Sequence, residues 1–180
     1  MIKNLRFMNK IIISNSSRGF TLIELLIFIG IFTILITTLF ELLITVFDVQ
    51  LESQSTSVVS QDGRFILNRL THDIKNATTV TTPVPGVQGS TLVISDGTTT
   101  YTYALSSGNL TLYNSTLGTT DQLNSVNTDV SNLNFLTLTN VNADKIKDYY
   151  TVGATFTLNS VVIKRSGVVS KVYNLTIGTR

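Results

Sequence analysis

Few residues in this chain are equipped for chemistry, and the one most out of place is Glu24. It puts a carboxylate inside the otherwise apolar stretch Gly19-Phe20-Thr21-Leu22-Ile23-Glu24-Leu25-Leu26. A charge in hydrocarbon is costly unless it reaches water or meets an opposite charge, so Glu24 calls for a partner. Elsewhere the inventory is thin. There is no cysteine and only one histidine, His72. That excludes disulfides and thiolate metal sites, and leaves the usual acid–base and zinc constellations almost without donors. The serines have no glycine-flanked elbow that would make one of them a nucleophile. Asp144, Lys145, Lys147 and Asp148 crowd one loop, most simply a solvated tip. A calcium site drawn from these aspartates would not have the spacing of an EF-hand. The expectation is therefore a protein with no catalytic residues, no cofactor and no metal.

The element that must position Glu24 is an apolar run from Phe20 to Phe47, 28 residues in which only Glu24 and Glu41 are ionisable. A bilayer core needs roughly 20 apolar helical residues, so the run can span. Glu24 and Glu41 are 17 residues apart, which is about 25 Å of helix and lets each lie near one edge of the hydrocarbon. Lys3, Arg6, Lys10 and Arg18 precede the run with no acid among them. That places the N-terminus in the cytoplasm and the bulk of the chain outside it. Beyond these four, nine bases face eleven acids, so the slightly basic total is a topological signal and nucleic acid is not an expected partner. A secretory signal reads similarly. However, the run is about twice the usual h-region of roughly 7–15 residues, and no A-x-A site follows it. From composition alone, a plain anchor and a more specialised one both remain open.

The octapeptide Gly19 to Leu26, set between a basic leader and a spanning run, resembles the class III signal of type IV prepilins and type II secretion pseudopilins. The resemblance implies that a membrane prepilin peptidase cuts after Gly19 on the cytoplasmic side, then N-methylates the new first residue, Phe20. A glycine suits the cut because an extended backbone without a side chain can enter a narrow protease site. The new amine on Phe20 would lie four residues from Glu24, on one helical face. In this family the glutamate is taken to meet the N-terminal amine of a neighbouring subunit, which makes Glu24 a subunit-assembly residue. A carboxylate snorkelling to the interface is the other reading. The implied partners are the prepilin peptidase, other pilins or pseudopilins in a hetero-oligomeric filament, and an inner-membrane assembly platform. The implied location is a single pass through the inner membrane, then an envelope or extracellular filament. Met8 is an alternative start, shortening the 19-residue leader to 12.

Glu41 stands where major pilins usually carry a proline. That substitution, the pair Ile31-Phe32 and a distal R-x-x-x-x-R-L-x-x-D-I-x-x-A pattern from Arg64 to Ala77 resemble J-type minor pseudopilins and W-type minor pilins. Read from its residues, the distal stretch continues the helix. Val59, Gly63, Ile66, Leu70, Ile74 and Ala77 recur at three- and four-residue steps and form one apolar stripe. Asp62, Arg64, Arg69, Asp73 and Lys75 are expected on solvated faces, with subunit contact as the alternative and Arg69 paired to Asp73 across one turn. His72 is expected to face solvent, and Gly63 is a candidate bend.

Pro83, Pro85, Gly86 and Gly89 mark the clearest boundary. Beyond it, strands are expected at 91–95, 98–105, 110–113, 133–139, 152–159 and 168–177, with turns at Asp96-Gly97 and 106–109. The whole is an α+β, type IV pilin-like fold: a long N-terminal helix packed on a C-terminal antiparallel sheet. Its expected parts are a leader at 1–19, a membrane or filament-core helix at 20–47, an amphipathic helix at 48–77, a linker at 78–90 and a β-rich domain at 91–180.

Overall fold

A computed structural model describes residues 19–140, 149–162 and 167–180. The basic stretch up to Arg18 and the residues Asp144, Lys145, Lys147 and Asp148, expected in one loop, lie outside these ranges. One helix, α1 (Leu22–Asn76), is followed by antiparallel sheets, the α+β layout of the pilin-like fold. By its contacts the chain divides into two units between Ile44 and Thr45, within the course of α1.

The described part of the first unit is helix whose apolar side chains all face outward. It is long and apolar enough to cross a membrane. Its threonines do not spoil that surface. The hydroxyls of Thr33, Thr37 and Thr38 donate to the carbonyls of Ile29, Thr33 and Leu35 at 2.8, 2.9 and 2.8 Å. Each hydroxyl is thus satisfied inside its own helix, which is what a lipid-facing segment requires.

In the second unit the helix turns amphipathic. Val59, Gly63, Ile66, Leu70, Ile74 and Ala77 are buried along one stripe, as the three- and four-residue spacing predicts, and Ser55 is buried one turn ahead of it. The β region forms two sheets where the sequence suggested one. The first comprises β1 (Thr79–Thr82), β3 (Leu92–Ser95), β4 (Thr100–Ser106), β5 (Asn109–Asn114) and β6 (Thr119–Gln122), in the order β1-β3-β4-β5-β6. The second comprises β2 (Gln88–Gly89), β7 (Thr128–Asn140), β8 (Tyr149–Ser160) and β9 (Ser170–Gly178), in the order β2-β7-β8-β9. Both contribute to a single hydrophobic core with the helix stripe, through Leu92, Ile94 and Leu110 on one side and Phe135, Phe156 and Leu158 on the other.

Two short strands, β1 and β2, fall inside the stretch expected as a linker. The tight connection of β4 to β5 uses Ser107 and Gly108, both at positive φ (50° and 81°), the geometry of a type I′ hairpin turn. Strand β7 starts five residues before the expected Leu133. A bulge at Asn132 (φ 52°) shifts the register, so Val130 and Leu133, three residues apart, both face the core.

Each sheet is pinned to the helix by one tyrosine. From β4, the Tyr103 hydroxyl donates a short hydrogen bond to Asp73. From β9, the Tyr173 hydroxyl donates to the Val59 carbonyl at 2.9 Å, and its ring stacks on Phe156. Gly63 is a slot rather than a bend: a Cβ there would overlap the Tyr173 ring. Asp73 is not on a solvated face either. It is buried, and besides Tyr103 it takes the Arg69 Nε–H at 2.8 Å and lies 3.0 Å from His72 Nδ1. Asp62 likewise holds the chain ahead of β7, accepting from Ser125 N–H at 2.9 Å, from its hydroxyl at 2.7 Å and from the Thr128 hydroxyl. His72 itself is largely exposed, with Nε2 3.3 Å from the Asn76 side chain.

Candidate processing and assembly site

Gly19, Phe20 and Thr21 precede the first turn of α1. All three are exposed, and nothing approaches within 4 Å of where a Gly19 Cβ would be. The Gly19–Phe20 peptide bond is therefore in open, non-helical backbone, the form a peptidase needs to bind.

Thr21 opens the helix. Its hydroxyl accepts from the Glu24 N–H at 3.4 Å and its carbonyl from the Leu25 N–H at 3.2 Å. This makes Thr21 the N-cap and Glu24 the third helical residue, the S/T-x-x-E arrangement of a capping box. The sequence carries that signal in plain view, although it is overshadowed by the apolar run. The cap changes the account of Glu24. A carboxylate in the first turn faces the positive end of the helix dipole and the unpaired amide donors there, a contribution of about 0.3–1 kcal/mol. Among the described residues no cation pairs with it. Phe20 precedes the cap, so an amine created at Phe20 would belong to the helix entrance, within a few residues of the carboxylate.

Around this entrance the chain offers surface rather than cavity chemistry. From Leu22 to Ile44 every side chain is exposed. Among the described residues there is no group of three or more histidines, cysteines, aspartates or glutamates placed to hold a metal ion. What the arrangement supplies is a peptide bond in open backbone, an acid a few residues beyond it and a long apolar surface.

The family model of the prokaryotic N-terminal methylation motif matches residues 14–40. The match covers Gly19, Phe20 and Glu24 and most of the apolar run, and stops before the amphipathic half of α1 and the sheets. It supports a type IV pilin or pseudopilin that is processed by prepilin peptidase and assembles with other pilins. With the apolar helix, it is consistent with anchorage in the inner membrane. No curated protein and no solved structure matches the chain.

Proposed function

We propose that the chain is a minor pilin or pseudopilin, a structural subunit rather than an enzyme. It is cut after Gly19, N-methylated at Phe20, and passed from the inner membrane into the filament of a type IV pilus or a type II secretion pseudopilus. The observation that carries this reading is the capped helix directly after Gly19, whose side chains are all exposed through Ile44. A single-pass anchor needs only about 20 such residues facing lipid. The same all-round surface also suits packing among like helices once lipid is left behind. The missing helix proline at Glu41 and the Arg64–Ala77 pattern favour the J-type or W-type minor subunits.

Mass spectrometry of the chain recovered from sheared filaments tests the reading. The expected mature species begins with methylated Phe20 and lacks residues 1–19. A chain found only in membranes would be an anchored surface protein that does not polymerise. One beginning at Thr21 or later would have met a different peptidase.

Glu24 is expected to matter after processing. Glu24→Gln keeps shape and hydrogen-bonding capacity but removes the charge, turning a charge-assisted contact into an ordinary one. Cleavage and membrane insertion should be unchanged, while incorporation into sheared filaments falls by about tenfold, the equivalent of roughly 1.4 kcal/mol. Normal incorporation at equal membrane abundance would leave Glu24 with no role beyond its helix cap.

A further inference from the structure

Strand β9 (Ser170–Gly178) ends the second sheet and has a strand neighbour, β8, on one flank only. Its register against β8 runs without a shift from Ser170 to Gly178. The ends of this ladder fix which backbone groups point where. The Ser160 N–H donates to the Val169 carbonyl at 2.8 Å, and the Thr179 N–H donates to the Tyr150 carbonyl at 2.8 Å. Bonded residues alternate in an antiparallel pair, so 171, 173, 175 and 177 face β8 as well. The N–H and carbonyl groups of Ser170, Val172, Asn174, Thr176 and Gly178 therefore point away from the sheet. All five residues are exposed, and among the described residues no hydrogen-bond partner meets these groups.

Open edges invite unwanted pairing, and proteins blunt them with short strands, bulges, prolines or charges. The other edges here are blunted. β1 and β6 have four residues each, and β2 has two. β1 also carries a register shift, and β7, where β2 does not cover it, is broken by its bulge. β9 has nine residues, no proline, no bulge and a single charge, Lys171. It is held rigid by Tyr173 in the Gly63 slot and by the Tyr150 N–H, which donates to the Thr179 hydroxyl at 3.1 Å. A regular, preordered edge with unmet donors and acceptors is the form that takes up an added strand.

We propose that β9 is a docking edge for an extended segment of another polypeptide, which adds antiparallel and sets a carboxylate beside Lys171. Every pairing in this sheet is already antiparallel, so such a strand continues its hydrogen-bond pattern. Lys171 supplies the charge preference. Its Nζ lies 5.3 Å from the Tyr173 ring centroid, and among the described residues no acid pairs with it. A second copy of β9 would bring no carboxylate, since Ser170–Gly178 contains none. The side chains beside the incoming strand include Val172, 57% exposed, and Thr176. β-Branched residues on the partner suit that row. The docking edge needs the second unit alone, so it can fail while the filament reading stands.

Amide hydrogen exchange of the full chain in detergent micelles, followed by NMR, tests it. In the chain alone, the amides of Val172, Asn174 and Thr176 should exchange rapidly and those of Tyr173 and Leu175 slowly. The probe is a capped octapeptide of alternating valine and threonine with one glutamate near its C-terminus, at millimolar concentration. It should slow exchange at 172, 174 and 176 by about tenfold or more and leave 173 and 175 unchanged. The same peptide N-methylated throughout keeps its side chains but loses its donors, and should have no effect. Asn174→Pro removes one outward N–H without touching the ladder to β8, so the chain should fold and lose the response. Lysine in place of the peptide's glutamate should weaken binding several-fold. No protection, equal protection at odd and even positions, or a response kept by Asn174→Pro or by the N-methylated peptide would each overturn the docking edge. Equal binding of the lysine peptide would overturn the charge preference. Protection that needs no peptide and rises with chain concentration would assign the edge to a second copy and overturn the proposal.

Discussion

Asp73→Ala should lower the stability of the helix–sheet unit by roughly 2–4 kcal/mol, the range for breaking a buried hydrogen-bond network. The carboxylate is 2% exposed, whereas its partner Arg69 is 39% exposed. Arg69 therefore finds water when the acid goes, and that half of the pair is worth little. The cost falls on Tyr103, whose buried hydroxyl is left without its acceptor. Tyr103→Phe should cost less, about 1.5–3 kcal/mol for one lost bond to a charged group. In the double variant no phenol is stranded, so the two effects should sum to clearly less than additive. Denaturant unfolding of the detergent-solubilised chain, followed by circular dichroism, measures all three. Additive losses would mean that Asp73 does not act through Tyr103.

The same contact predicts an alkaline limit. Burial, reinforced by the adjacent Asp73 carboxylate, pushes the Tyr103 phenol well above its ordinary value. The folded chain keeps this proton at pH values where the unfolded chain has lost it. The stabilisation is full below about pH 10 and declines as pH rises above that, and Tyr103→Phe should flatten the decline.

Gly63→Ala should destabilise by about 1–3 kcal/mol, the cost of overpacking, against the sign of its helix propensity. In an open helix the same change stabilises by about 0.8–1 kcal/mol. Here the new methyl meets a tyrosine ring that is fixed at both ends, stacked on Phe156 and hydrogen-bonded to Val59. In a Tyr173→Ala background the clash is gone, and the substitution should become neutral or stabilising. Thermal unfolding of the four chains of this cycle decides it. A Gly63→Ala chain as stable as the parent would show that the ring moves aside freely.

The helix stripe was legible because its signal is local: Val59, Ile66, Leu70 and Ile74 announce their face by spacing alone, and all are buried. Gly63 carries no such signal, since a glycine that bends a helix and one that admits a ring read alike. Asp73 was misjudged for a related reason. Nothing in a helical pattern shows that a tyrosine 30 residues later will point its hydroxyl at that position. Among the strands, β6 is polar and exposed at all four positions, so only its pairing with β5 makes it a strand. The Asn132 bulge breaks the two-residue alternation that would have carried β7 back to Thr128. At the other end, Gly19, Phe20 and Glu24 fall inside the methylation-motif match at residues 14–40, a signal carried by local sequence alone. The cap from Thr21 was equally readable in principle.

The Tyr173 bond to Val59 joins positions 114 residues apart in the chain. The helix that contributes the slot is synthesised well before the ring that fills it. Contacts of such wide separation form late, after the intervening loops have closed. Until Tyr173 is in place, the slot at Gly63 stays open and the second sheet lacks β9, its edge strand. The helix stripe of the second unit is thus covered late on this side, only once β9 has paired with β8 and brought the ring to its slot.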